Sequence, residues 1–544
     1  MEVIKTDVLV VGSGAAGLRA AIETRRQGVE VLLASKTLTG LANCSIFSGG
    51  VFTAALGTMT KESHFKTTIT TGRYLNDQRL VEALVDEAAS RLLELQEFGA
   101  KLSVGDGSCH VVNGSFPMQG TGLIHPLVRY ARNIGVKTLE NTMITDLLGE
   151  GNTNGAVGFN VLNGKHVAVK AKAVVLTSGG SGQAYRRNDN PVRMTGDGYV
   201  MAYELGVPLV DMEFVQFLPT GSAEPGHPMF MLLLPSSLLE CGVLQNVHGE
   251  DIVKKYGLDP RLAYSTQRDT WTIAIAKEIY EGRGEDDTVL LNLTKLPKTL
   301  QGHRFVESLS EIFKGFPLLT KPMHVTPLAH TFMGGIQIDE NCKTAIPGLF
   351  AAGEVTGGVH GANRVGGNAL TECIVFGARA GKNAADHAKN TSESQINMRQ
   401  VKQKLEKVDG IMGKEPSNLG NPKLVRTQIQ EIMWKKAGMI RSHQSLTEAQ
   451  AELAQIKEEN LPKIYGRNPP ELMEALEAIN LFLVATLVVK AALTREESRG
   501  VHYRVDYPYQ DDQRWLKHIA LTKKLEGIEV STCPVIMTKL FPGP

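Results

Sequence analysis

Cysteine is sparse and never paired in this sequence: Cys44, Cys109, Cys241, Cys342, Cys373 and Cys533 are scattered over 544 residues with no C-x-x-C among them. That spacing supplies neither the four thiolates of an iron–sulfur cluster nor the paired ligands of a structural zinc. An excess of one charge is missing too. Lys and Arg number 58 and Asp and Glu 57, a formal net charge of +1, so no basic or acidic field points to nucleic acid or to an anionic membrane. No apolar run is long enough to predict a membrane span. The best, Leu481 to Leu493, is broken by Lys490 and falls short of the ~20 residues a bilayer requires. The first residues include Glu2, Lys5 and Asp7 and lead straight into a strand-like segment. That is unlike a signal or transit peptide, so a cytoplasmic protein is expected. Internal repeats and low-complexity segments are absent.

What is present has the balance of an ordinary globular chain, 42% hydrophobic and 21% charged, and its length predicts roughly two to four domains. Asp7 to Val11 reads as a buried strand ended by glycine, Ala15 to Gln27 as a helix, and Val29 to Leu33 as a second strand, together one βαβ unit. Two further strand signals, Ala173 to Thr177 and Leu349 to Ala352, run into Gly179-Gly180 and Gly353-Glu354. Strands so far apart that each end in glycine predict one sheet assembled from distant pieces. Pro219 to Pro327 is mixed and punctuated by proline, as an inserted domain would be. Asn390 to Arg495 interleaves charge with Leu, Ile, Met and Ala at helical spacing, as in Gln428 to Lys436 and Leu446 to Lys457. The tail from Gly500 to Pro544 is expected to be extended and packed on the rest.

Gly12-Ser13-Gly14-Ala15-Ala16-Gly17 is G-x-G-x-x-G between a strand and a helix. The first glycine allows the tight turn, the second lets backbone approach a pyrophosphate, and the third lets helix and strand pack closely; the helix N terminus then faces the phosphates. Alone the hexapeptide is a glycine turn; in its βαβ setting it predicts dinucleotide binding. The acid expected at the end of the second strand is missing, and Ser35-Lys36 stand there instead, which counts against a generic NAD site.

Ser35-Lys36 and the run Asn43 to Gly50 resemble the flavin-edge loop of the succinate dehydrogenase/fumarate reductase flavoproteins. So do Thr177 to Gly182, Thr195 to Gly198, Asp211 to Phe217, His330 to Ile336, His360 to Arg364, Gly367 to Leu370, Glu497 to Arg504 and Trp515 to His518. These motifs fall in the family's order over nearly the whole chain. The resemblance implies an α/β fold. A Rossmann-like FAD-binding domain (1–220 and 326–388) would carry an inserted α+β capping domain (221–325), a C-terminal helical domain (389–496) and an extended region (497–544). It implies FAD held by Gly12, Gly14, Ala15, Ala16, Gly17, Ser35, Lys36, Asn43, Ser48, Gly49, Gly50, Gly179, Asp197, Glu354, Arg364, Asn368, Ala369 and Leu370. Glu354 would accept hydrogen bonds from the ribose, and the backbone of Asn368 to Leu370 would stabilise negative charge on the reduced ring. His330 and Arg364 would clamp a substrate carboxylate, the arginine through its planar fork, and Arg268 would deliver a proton. Taken singly, each has a plainer reading: a structural histidine, an ion-pair arginine, and for Arg268-Asp269 a salt bridge at a helix start. The clustered Arg499, His502 and Arg504 read as packing against the flavin domain.

The sequence also departs from the family. Asn43 replaces the histidine that respiratory members bond covalently to flavin, so the FAD is expected to be non-covalent. Leu218 replaces the histidine of Q-[FY]-H-P-T, and the Thr-Glu pair that grips a second carboxylate aligns near Leu234-Pro235, inside the apolar run Met229 to Leu234. That run is either core of the inserted domain or a hydrocarbon wall of the site. The implied activity is hydride transfer to or from a C=C/CH–CH bond beside a carboxylate, with electrons exchanged with an iron–sulfur subunit or other electron-transfer protein. L-aspartate oxidase-like, adenylylsulfate reductase-like and purely electron-transferring flavoproteins remain as alternatives.

Overall fold

The computed structural model describes residues 1–115, 118–392 and 395–543. At its centre lies a five-stranded parallel sheet in the order Leu349–Ala351, Ala173–Leu176, Val8–Val11, Val31–Ala34, Lys137–Leu139. The three inner strands carry only buried apolar side chains, as expected when helices cover both faces. The helix Ala15–Arg26 packs against Asn368–Asn390, so pieces some 350 residues apart close one layer. Assembly of this sheet from distant segments agrees with the sequence. The fifth strand, Lys137–Leu139, is too short and too exposed to have left a signal, as is the parallel pairing of Glu2–Lys5 with His166–Lys170 in a second, four-stranded sheet.

Between the two halves of the sheet domain, Val215–Ser222 and Met323–Phe332 pair antiparallel and extend through Val289–Leu291 and Leu244–Gln245. A separate hydrophobic core, from Leu232 to Val325 around the fully buried Trp271, fills the unit above this sheet. The fold is thus a mixed α/β one with a helical C-terminal part made of Met398–Met412, Pro422–Lys436, His443–Gln455 and Pro469–Thr494. The last of these corrects one expectation. It runs 26 residues with a mean hydropathy of 1.9, long and apolar enough by length and composition to cross a membrane. The reading that began at Leu481 missed the first three turns of the helix, which starts at Pro469. In the fold, 67% of its most apolar window is buried within the chain, against Pro422–Lys436 and His443–Gln455. Its Glu477 is fully buried and accepts hydrogen bonds from Lys36 and Arg193. Lys517–Lys524 and Gly527–Pro534 form a hairpin that pairs with Leu209–Val210 and buries Ile519, Ala520 and Leu521.

Candidate active site

Gly12 adopts φ +110°, a left-handed turn that a side chain would strain. A Cβ on Gly17 would lie 1.8 Å from the Gly12 carbonyl oxygen, so helix and strand approach as the motif requires. Gly14 differs. The nearest atom to its missing Cβ is Ser45 Oγ at 3.5 Å, so no protein contact demands glycine there, and the open space belongs to a cavity of about 860 Å3. Gly12, Gly14, Ala15, Ala16, Ser35, Lys36, Asn43, Gly179, Asp197 and Glu354 line it; Gly17 stands behind them as packing.

The charges here are matched. Lys36 Nζ donates to Asp197 Oδ2 at 2.7 Å, Glu477 Oε1 at 2.8 Å and Thr195 Oγ1 at 3.0 Å. Burial works against the Asp197 carboxylate, but Lys36 outweighs it and holds its pKa low. Glu477 was not foreseen, because it arrives from a helix 441 residues beyond Lys36. Asn43 lines the cavity too, yet its side chain caps the short helix Cys44–Phe47, Oδ1 accepting the Ile46 N–H at 3.0 Å.

A second cavity of about 980 Å3 shares Cys44, Ser45, Glu354 and Cys373 with the first, so the two form one channel. Ser48, Gly49, Gly50, Ala369 and Leu370 line it. Asn368 does not. Its side chain is fully buried, with Nδ2 donating to Thr68 Oγ1 at 3.0 Å and Oδ1 2.9 Å from His64 Nε2, and its N–H donates to Val365 O. It anchors the helix start from behind while Ala369 and Leu370 face the space.

Arg268, His330 and Arg364 meet in this second cavity. Arg268 opens the helix Arg268–Tyr280; its Nε donates to Tyr264 O at 2.9 Å and its Nη1 to Gln216 Oε1 at 3.2 Å. The helix-start pair with Asp269 does not form, since Asp269 binds Arg73 at 2.5 Å. Arg364 Nη1 donates to Val365 O at 3.3 Å and its buried Nε has no partner. Among the described residues neither arginine has an ion-pair partner, although they are only 6% and 3% exposed. Burial, then the neighbouring Arg364, lowers the Arg268 pKa well below its ordinary value; burial brings Arg364 down to about 10. His330 Nδ1 lies 2.7 Å from Asp189 Oδ2, and burial keeps its pKa low in spite of that carboxylate. Asp189 left no signal in the sequence. It reaches His330 because Asn188 bridges to Ala329 on the neighbouring strand.

The apolar run resolves into two faces. Met231 and Leu233 line the cavity beside Leu218, whereas Leu232 and Leu234 are buried in the separate core. Both readings of the run thus hold in part, wall at Met231 and Leu233 and core at Leu232 and Leu234. Arg499, His502 and Arg504 lie outside the cavity and are buried; Arg499 Nη1 donates to Arg73 O at 2.9 Å and the His502 ring meets Phe214, both in the flavin domain, while Arg504 binds Asp506.

The channel joins a glycine turn and helix N terminus to a cluster of unpaired cations. Residues 7–370 match a family described as "FAD binding domain", and residues 426–543 one described as "Fumarate reductase flavoprotein C-term". Fold and channel define an FAD-dependent oxidoreductase. The residues present fit the cofactor: besides the open space at Gly14, the buried Ser178 Oγ on the cavity wall has no protein partner. More narrowly, the chain belongs to the flavoprotein-subunit family of fumarate reductase and succinate dehydrogenase. It is 36% identical to a fumarate reductase (CoM/CoB) subunit of Methanothermobacter marburgensis, over 96% of this chain and 98% of that one. It is 33% identical to the L-aspartate oxidase of Streptomyces coelicolor, over 95% and 91%. A solved quinol fumarate reductase of E. coli superposes with TM-score 0.90 at 28% identity, covering 100% of this chain and 99% of that one.

Proposed function

We propose that this chain reduces, or forms, a C=C bond beside a carboxylate. The observation that carries this is the pair of buried guanidiniums, Arg268 and Arg364, that no protein carboxylate meets. A buried cation without a partner is costly, and an anionic substrate removes that cost. Arg364, with His330 presenting the nitrogen that Asp189 leaves free, holds the carboxylate; the fork of the arginine accommodates both oxygens. Arg268 gives a proton from its guanidinium to one carbon of the double bond. Its lowered proton affinity, caused by burial and by Arg364, eases that release. FAD, held without a covalent link by the Gly12–Gly17 turn, Glu354 and the backbone at Ala369 and Leu370, supplies hydride chemistry when bound.

Electrons reach or leave the flavin through a protein partner. The relatives named as subunits support this, and so does the scarcity of cysteines able to hold a cluster. A chain that only passed electrons would have no use for Arg268 and Arg364 in this arrangement. The test is anaerobic. The dithionite-reduced holoprotein is mixed with a panel of α,β-unsaturated acids, and the flavin band is followed in time. Reoxidation by at least one acid is expected, and none by their saturated counterparts. If no unsaturated acid reoxidises the flavin, this reading is wrong.

A further inference from the structure

One wall of the cavity that holds the guanidiniums is hydrocarbon. Leu218, Met231 and Leu233 line the cavity there, and Leu233 keeps 40% of its surface uncovered. The polar groups on the same strands are already engaged. Thr220 Oγ1 donates to Leu232 O at 2.7 Å and lies 2.5 Å from the Tyr264 hydroxyl. Ser222 Oγ donates to Pro228 O and accepts the Phe230 N–H, both at 2.8 Å. Gln216 Nε2 donates to Asn363 Oδ1 at 2.9 Å and to Arg364 O at 3.1 Å, and its Oε1 accepts from Arg268. These contacts fix the alternation that turns Met231 and Leu233 toward the cavity and Leu232 into the core.

Resting on the unsaturated-acid reading above, we propose that the substrate is a monocarboxylate with a hydrocarbon remainder, a short enoate and not a dicarboxylate. One carboxylate meets Arg364 and His330, with Arg268 beside the double bond. A second, placed against Leu218, Met231 and Leu233, would lose its water and find no donor. A hydrocarbon chain on those residues instead covers apolar surface that is now bare. The free acid is also preferred to an acyl thioester. A thioester carbonyl is neutral and would leave both guanidiniums without an anion. In the reductive direction the acid takes up one hydride and one proton and becomes saturated, the two electrons coming from the reduced cofactor.

Two measurements test this on the holoprotein. Calorimetric titration of the oxidised form compares butanoate with succinate; butanoate is expected to bind on the order of 100-fold more tightly. Reoxidation of the reduced form compares trans-2-butenoate, trans-2-hexenoate, fumarate and the N-acetylcysteamine thioester of trans-2-butenoate, with the two enoates fastest. Succinate binding as tightly as butanoate, or fumarate matching the enoates, would overturn the proposal while leaving the unsaturated-acid reading intact. A thioester faster than its free acid would overturn it too. Silence from every acid in both assays is a different pattern and removes the underlying reading as well. Leu218→His should raise the fumarate-to-butenoate rate ratio by about 10-fold, a single new donor's effect. An unchanged ratio in a variant that melts like wild type counts against the proposal.

Discussion

Two groups of buried arginines show how differently one residue type is used in this chain. In the tail, Arg495, Arg499 and Arg504 are no more than 1% exposed, and each meets a carboxylate. Arg495 binds Glu213 at 2.6 Å and Glu497 at 3.0 Å, Arg499 binds Glu497 at 2.7 Å and Asp512 at 2.6 Å, and Arg504 binds Asp506 at 2.6 Å. Even Arg441, without a carboxylate, donates to Gly438 O and Glu213 O and lies 2.7 Å from His502 Nδ1. In the cavity, Arg268 and Arg364 are nearly as buried, yet neither forms an ion pair among the described residues; Glu354, Glu372 and Asp189 act on them only without direct contact. The tail arginines are complete without a ligand; the cavity arginines are not. Burial alone does not mark a functional cation. Burial without a direct ion pair, beside empty space, does.

The largest effect should come from the cavity side. Arg268→Met removes the proton donor and a buried charge that no protein carboxylate pairs directly. Reoxidation by the best acid should fall by about 10²–10⁴-fold, while the chemical-denaturation midpoint stays level or rises, since an unpaired buried charge has gone. A large loss of stability with activity retained per folded molecule would put Arg268 in the same class as the tail. The reverse change is next. Glu497→Ala removes one of the two close carboxylates that each of Arg495 and Arg499 meets, leaving Glu213 and Asp512; breaking buried pairs this way costs up to about 3–5 kcal/mol. Denaturant titration should show that loss, while the folded fraction reoxidises at the wild-type rate.

Much of this contrast was visible before the fold. The order of the motifs around Gly12, Glu354, His330 and Arg364 placed the sheet domain and the cavity cations, because glycine-dense loops leave a local trace. Asp189 and Glu477 left none. Each acts through a contact made by distant segments, a strand bridge at Asn188–Ala329 in one case and a core helix in the other. The same limit explains why the run Met229 to Leu234 stayed open between core and wall. Alternation over Met231 to Leu234 is legible, but which set faces the cavity depends on where the strand is pinned, and that is fixed by Thr220 and Gly221. Asn368 sits in the right motif and plays its part from behind the wall.

Glu354 lies between the two classes, a buried carboxylate on the cavity wall whose oxygen accepts the Phe332 N–H at 3.1 Å. Burial raises its pKa from 4.5 to about 7. The folded state therefore holds this proton more tightly than the unfolded chain. Its contribution is fully present below pH 4.5 and is lost as pH rises to about 7, by no more than about 3 kcal/mol. Denaturation of the flavin-free protein across this range should show the decline, and Glu354→Gln should flatten it. Bound FAD should flatten it as well, because ribose hydroxyls donating to the carboxylate favour its charged form.

The smallest effect separates lining a cavity from serving it. Asn43 borders the first cavity, yet its carboxamide is spent on the helix Cys44–Phe47, as the Ile46 contact shows. Asn43→Ala should cost about 1 kcal/mol or less, the loss of one cap on a four-residue helix, and should leave FAD affinity nearly unchanged. Gly14→Ala should do the opposite. No protein atom lies within 3.4 Å of the added methyl, so stability of the flavin-free protein should hold while FAD binding weakens, because the methyl takes up the space where backbone meets the pyrophosphate. Flavin fluorescence after acid denaturation reads both variants and the wild type at once. Intact FAD should be released from each, since an amide at position 43 makes no bond to the ring. Flavin that stays with the precipitated chain would show a covalent link formed elsewhere and would move Asn43 from structural cap to open question.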